Sequence, residues 1–109
     1  MVMKRILLVL VISLLASSVV YGGDPAAGKE KSQVCQACHG TDGNSPAPNF
    51  PKLAGQYQDY LLRSLLDYKS GARKNPIMSG QVAALSEQDM KDLAAYYASQ
   101  KGLYVVEIE

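Results

Sequence analysis

Cys35 and Cys38 stand three residues apart, and His39 follows the second directly. These are the chain's two cysteines and its one histidine. Two thiols at this spacing can each add to a vinyl group of a haem, giving two thioether bonds. The imidazole beside them can then reach the iron from the same side. The run C-x-x-C-H is the attachment pattern of c-type haem, and imidazole is an ordinary axial ligand of haem iron. Three other chemistries use such cysteines. A structural disulfide is one, and a thioredoxin-type redox pair is another, although that pair expects a βαβ setting that this sequence lacks. A zinc site wants about four ligands, more than two Cys and one His supply.

A simple electron carrier needs a sixth ligand opposite the histidine, and methionine sulfur fills that place in cytochromes. The chain has four methionines. Met1 and Met3 fall in a leader-like segment. Met90 falls on the apolar face of a helical pattern. Met78, in Asn75-Pro76-Ile77-Met78-Ser79-Gly80, is expected in a turn from which its side chain can point inward. A ligating histidine usually gives its other N–H to a fixed acceptor. A proline carbonyl in the loop after His39 suits this, with Pro48 the choice and Pro46, or merely a rigid loop, the alternatives.

The elements that position these groups read as helices. Asp24-Pro25 is an N-cap followed by a first-turn proline, predicting a helix from about Pro25 to Gln36 that delivers Cys35 near its end. Gly28 within it marks either a close helix crossing or a tolerated glycine. Residues 40–55 carry glycines and prolines with no helical period, and a loop this long usually wraps something or works. Tyr57, Tyr60, Leu61, Leu65 and Tyr68 recur with helical spacing, predicting a second helix from Gln56 to Ser70, ended by Gly71, with the tyrosines in the core. Lys69, Arg73 and Lys74 form a small basic group, a solvated turn or part of a docking face. Ser86-Glu87-Gln88-Asp89 resembles a capping box and predicts a third helix to about Gln100, with Gly102 as its terminating glycine. The tail from Leu103 to Glu109 has strand-like composition and no firm assignment.

Residues 1–22 are expected to be a signal peptide and 23–109 one domain. Lys4 and Arg5 precede an apolar run, and small residues end at Gly22. The apolar stretch 6–20 is shorter than the roughly 20 residues of a spanning helix, so cleavage is preferred over an anchor. Beyond residue 22 the chain has nine basic and ten acidic side chains. That balance gives no field for nucleic acid or an anionic membrane. The absence of tryptophan and the single Phe50 fit a core in which a flat cofactor replaces aromatic side chains.

With Val34–Gly40, Asp42–Gln56, Met78-Ser79-Gly80 and Leu85–Ala98 placed, the sequence resembles class I cytochromes c. It is most like one half of the two-haem cytochrome c4 proteins and the related small one-haem cytochromes. The resemblance implies an all-α cytochrome c fold with crossing N- and C-terminal helices around one covalent haem c. It implies Cys35 and Cys38 as attachment points, His39 and Met78 on the iron, and Pro48 orienting the histidine. It places Gly28 and Tyr96-Tyr97 at the helix crossing. There is no second C-x-x-C-H, so contacts between paired domains do not carry over.

The expected function is a periplasmic one-haem electron carrier, not an enzyme. Its donor would be a quinol-oxidising complex or dehydrogenase, and its acceptor a terminal oxidase or reductase. No membrane contact is expected once the leader is cut. The alternatives are a haem subunit fixed to a catalytic partner, or an open-site sensor or enzyme, for which no second histidine offers distal acid–base chemistry.

Overall fold

A computed structural model describes residues 22–103. Their helices are α1 (Pro25–Lys31), α2 (Gln36–His39), α3 (Gln58–Ser70), α4 (Pro76–Val82) and α5 (Glu87–Ser99), with a 3-10 turn over Ser32–Val34 between α1 and α2. No strand occurs among the described residues. The leader-like segment, and the tail beyond Leu103, lie outside them.

α5 is the centre of the fold. Ser86 and Asp89 complete a capping box: the Ser86 hydroxyl accepts from the Asp89 N–H at 3.0 Å, and the Asp89 carboxylate accepts from the Ser86 N–H at 2.9 Å. Every residue from Asp92 to Tyr97 is buried. A helix covered on all sides belongs between other elements rather than on the surface. α1 and α3 both pack on it. Leu93, Ala94, Tyr96 and Tyr97 join Leu61 of α3 in the core, and Cys35, Leu53, Leu62, Leu65 and Leu85 pack around them.

α1 starts as its sequence requires. Asp24 is extended and its carboxylate accepts from the Ala26 N–H at 2.9 Å, while Pro25 fills the first turn. The helix crosses α5 at Gly28, where a Cβ would sit 2.0 Å from the Asp92 carbonyl oxygen and 2.8 Å from the Tyr96 Cβ. Of the two readings of Gly28, close crossing is the correct one. The predicted single helix to Gln36 is instead broken after Lys31. The buried Ser32 hydroxyl donates to the Lys29 carbonyl at 2.7 Å, and the Cys35 N–H donates to the Ser32 carbonyl at 2.8 Å. These short-range bonds tighten the chain into a 3-10 turn before it winds again.

A charged cluster locks the same crossing. The Asp92 carboxylate is buried and accepts from the Asp24 N–H (2.8 Å), Gln88 Nε2 (2.9 Å) and Lys31 Nζ (2.5 Å). Lys31 also pairs with Asp89 at 2.9 Å. A buried carboxylate persists only when paired and hydrogen-bonded like this. The Lys31 ammonium and the Asp24 N–H hold Asp92 below the usual carboxylate range. Lys31 and the Ser86 N–H bring Asp89 down to about 2.

Two expectations change here. Tyr57 and Tyr60 are exposed, not core. Tyr57 precedes the helix as its extended cap residue. Tyr60 is one step, about 100°, from Leu61, while the buried face of α3 runs on the other side through Leu62 and Leu65. Second, α5 ends on Gln100 with extended dihedrals (φ −79°, ψ 151°), not on a left-handed glycine. Gly102 serves packing, since a Cβ there would lie 2.6 Å from the Ala54 Cβ and from Asn44 Oδ1. Lys69, Arg73 and Lys74 are exposed, as a solvated turn would have them, and two of them also make contacts within the domain. Lys69 donates to the Leu85 carbonyl. Arg73 lies 4.8 Å over the Tyr68 ring and donates to Ser64.

Candidate haem-binding site

α2 is a single turn, and it carries the chemistry. Cys35 precedes it, Cys38 and His39 end it, and the His39 N–H donates to the Cys35 carbonyl at 3.0 Å. Helical residues three and four apart share a face. Both thiols and the imidazole therefore project from one side of this turn. The cysteines are free and half-buried. Burial pushes the Cys35 thiol up. Gly40 ends the turn at φ 83°, a backbone that favours glycine.

His39 is buried, and its Nδ1 lies 2.8 Å from the Pro51 carbonyl oxygen. A carbonyl can only accept, so Nδ1 carries a proton, and in the neutral ring Nε2 is the nitrogen with the free lone pair. The ring is thus set in the tautomer that a metal ligand needs. The acceptor is Pro51, not Pro48. The loop decides this: Gly43 accepts from both Leu53 and Ala54 (2.8 and 3.2 Å), which folds the chain just before Leu53 back towards α2. Pro48 lies earlier in the loop and is exposed.

The loop is fastened on its far side to α5 and to the segment that follows it. Gly55 N–H donates to the Tyr97 carbonyl (3.0 Å), Leu103 N–H to the Ala54 carbonyl (2.9 Å) and Asn44 Nδ2 to the Lys101 carbonyl (2.8 Å). The Tyr96 hydroxyl donates to the Thr41 carbonyl at 3.2 Å. The long loop thus wraps the histidine as expected, and α5 holds the wrapping.

Met78 lies in α4, not in a turn. Asn75 is extended, and its side-chain oxygen accepts from the Ile77 and Met78 N–H groups at 3.0 and 3.1 Å. Asn-Pro does break the preceding chain, but the same dihedrals make Asn75 an N-cap and Pro76 a first-turn residue. Met78 is half-buried, whereas Met90 is 2% exposed in the core. Val82 anchors the far end of α4.

The donor set is therefore two thiols on one face, an imidazole with Nε2 free, and one thioether outside the packed core. It fits a covalently attached haem with nitrogen and sulfur on the iron. The zinc reading gains no support, since no cluster of three or more His, Cys, Asp or Glu side chains suited to a metal ion occurs among the described residues.

The Cytochrome c family model matches residues 25–101. This chain belongs to the cytochrome c family. It is 52% identical to cytochrome c4 of Pseudomonas aeruginosa over 91% of its own length and 50% of that protein. It is 46% identical to cytochrome c-554(548) of Halomonas halodenitrificans over 72% of its length and 99% of that protein. The crystal structure of reduced cytochrome c4 from Pseudomonas stutzeri superposes with a TM-score of 0.71 at 54% identity, covering 74% of this chain and 47% of the other. The chain thus spans about half the length of the cytochrome c4 relatives, and all of a small cytochrome. The fold is the cytochrome c fold, and the cofactor of the family is covalent haem c, for which this chain has the C-x-x-C-H motif.

Proposed function

We propose that this chain is a one-haem electron carrier of the periplasm, with residues 1–22 a cleaved leader and 23–109 the carrier domain. Cys35 and Cys38 would hold the haem, and His39 Nε2 and the Met78 sulfur would bind its iron. The single observation that carries this reading is the His39–Pro51 hydrogen bond, which leaves Nε2 as the free nitrogen of a buried ring. The haem supplies an iron that changes by one electron between Fe(II) and Fe(III).

The chain's own residues do the rest. Pro51 fixes the imidazole, the α2 turn presents both thiols together, and Asn75 starts the helix that presents Met78. With His39 and Met78 both engaged on the iron, no substrate would have a place on the metal, and the protein would move electrons without catalysing a reaction. The partners are redox proteins: a quinol-oxidising complex or dehydrogenase as donor, a terminal oxidase or reductase as acceptor. Such contacts are small and transient. No described helix is long and apolar enough to cross a membrane.

The test is an absorption spectrum of the exported, oxidised protein, followed by reduction and carbon monoxide. A weak red band from sulfur to Fe(III), with no response to carbon monoxide, is the expected result. Met78→Ala should lose that band and Met90→Ala should keep it. A high-spin spectrum in the unaltered protein would overturn the axial assignment and with it the carrier role.

A further inference from the structure

Tyr96 and Tyr97 are adjacent and both buried, with rings 5.0 Å apart and tilted by 54°. The fold treats their hydroxyls differently. That of Tyr96 donates to Thr41. That of Tyr97 is buried with no hydrogen-bond partner. An unsatisfied buried hydroxyl destabilises the fold, a cost that phenylalanine would avoid.

The Tyr97 ring is also held in place. A Cβ on Gly43 would lie 2.7 Å from Tyr97 Cδ1, and the Tyr97 carbonyl is bound by Gly55. The side chains facing the hydroxyl are Cys35 and Ser32. Ser32 gives its one proton to the Lys29 carbonyl and accepts from Gln36 Nε2 at 3.3 Å, so it has none to offer the phenol, and its second lone pair is the competitor that Ser32→Ala removes. Cys35 packs on the same cluster as Tyr97. Burial pushes the Tyr97 phenol well above its ordinary range, so it keeps its proton and can act as a donor.

We propose that Tyr97 is the positioning residue for the Cys35 sulfur, its O–H donating to that sulfur and holding the Cys35 side of the haem against α5. This rests on the reading of Cys35 as a thioether site. Sulfur in a thioether is a weak acceptor with no proton of its own, so a hydrogen bond there can come only from an outside donor. A donor there draws electron density from the haem edge and favours the reduced state.

The test uses the haem-loaded protein, with resonance Raman spectra of the thioether C–S stretch and the reduction potential as readouts. In the unaltered protein, the Cys35 C–S band should shift between H2O and D2O. Tyr97→Phe should abolish that isotope shift and lower the potential, with the methionine–iron band unchanged. Ser32→Ala should retain the isotope shift. An unaltered protein with no deuterium-sensitive C–S band would overturn the proposal, and so would Ser32→Ala losing it. If Tyr97→Phe fails to take up haem, the isotope comparison in the unaltered protein still decides. A Cys35 peptide without haem mass would sink the attachment reading itself, a different failure from an unmoved band.

Discussion

A Cβ on Gly28 would lie 2.0 Å from the carbonyl oxygen of Asp92, so α1 and α5 cross backbone against backbone. The contact sets where α1 ends relative to the core, and α1 leads through Ser32 to the attachment turn. Gly28→Ala gains up to about 1 kcal/mol in helix propensity. Against this, the methyl meets backbone that cannot rotate aside, and overpacking costs about 1–3 kcal/mol or more. The crossing should therefore loosen, with a net loss of stability. Chemical denaturation of the haem-loaded variant measures it, and a midpoint equal to that of the unaltered protein would refute the tight crossing.

The Lys31–Asp89–Asp92 cluster makes stability depend on acid. Both carboxylates have folded pKa values below their unfolded ones, Asp89 at about 2, while an unfolded aspartate titrates near 3.9. Their contribution is thus complete above about pH 4 and fades as the pH falls toward 2. Lys31 is raised, so its contribution is present below its unfolded pKa of about 10.4 and fades at higher pH. Thermal melts of the unaltered protein should fall steeply below pH 4. Asp92→Asn should melt lower at neutral pH and show a flatter acid limb. Parallel curves for the two proteins would mean that the cluster does not couple to folding.

Pro51 and Pro48 make opposite predictions. Pro51→Ala keeps the carbonyl but frees the backbone that aims it at His39 Nδ1. A weaker bond to Nδ1 makes the imidazole a poorer electron donor, which disfavours Fe(III). The potential should rise, and the methionine–iron band should become easier to displace with added imidazole. The His39 ring is bonded to the Pro51 carbonyl and not to that of Pro48, and Pro48→Ala should change neither. A potential that moves with Pro48→Ala and not with Pro51→Ala would contradict the structure.

Much of this was legible because local and long-range signals agreed. In α5 the serine cap, the acidic first turn and the spacing of Met90, Leu93, Ala94 and Tyr97 all point to the same buried helix, and the structure has it. The attachment turn was legible because its chemistry is confined to five consecutive residues. The sequence was less informative where one residue can serve two geometries. Ser32 read as helix interior, but its hydroxyl competes for a backbone carbonyl and breaks the helix. Asn75-Pro76 read as an extended break, yet an N-cap has the same extended dihedrals. Pro51 was missed because which carbonyl meets His39 depends on the Gly43 bonds to Leu53 and Ala54, a closure that no local pattern encodes.

Asn75 offers the sharpest test of how Met78, the proposed sixth ligand, is presented. Its side-chain oxygen takes the N–H groups of Ile77 and of Met78 itself. Replacing a good N-cap by alanine costs about 1 kcal/mol. α4 has only seven residues, too short to persist without its cap or its packing. Asn75→Ala should therefore fray the turn that carries Met78 while leaving α5 and the attachment turn intact. The methionine–iron band should weaken, and carbon monoxide should bind the reduced protein where it does not bind the unaltered one. Asn75→Asp and Asn75→Ser, which can still cap, should restore the original behaviour. A full band and continued resistance to carbon monoxide in Asn75→Ala would mean that the packing of Val82 alone holds α4 in place.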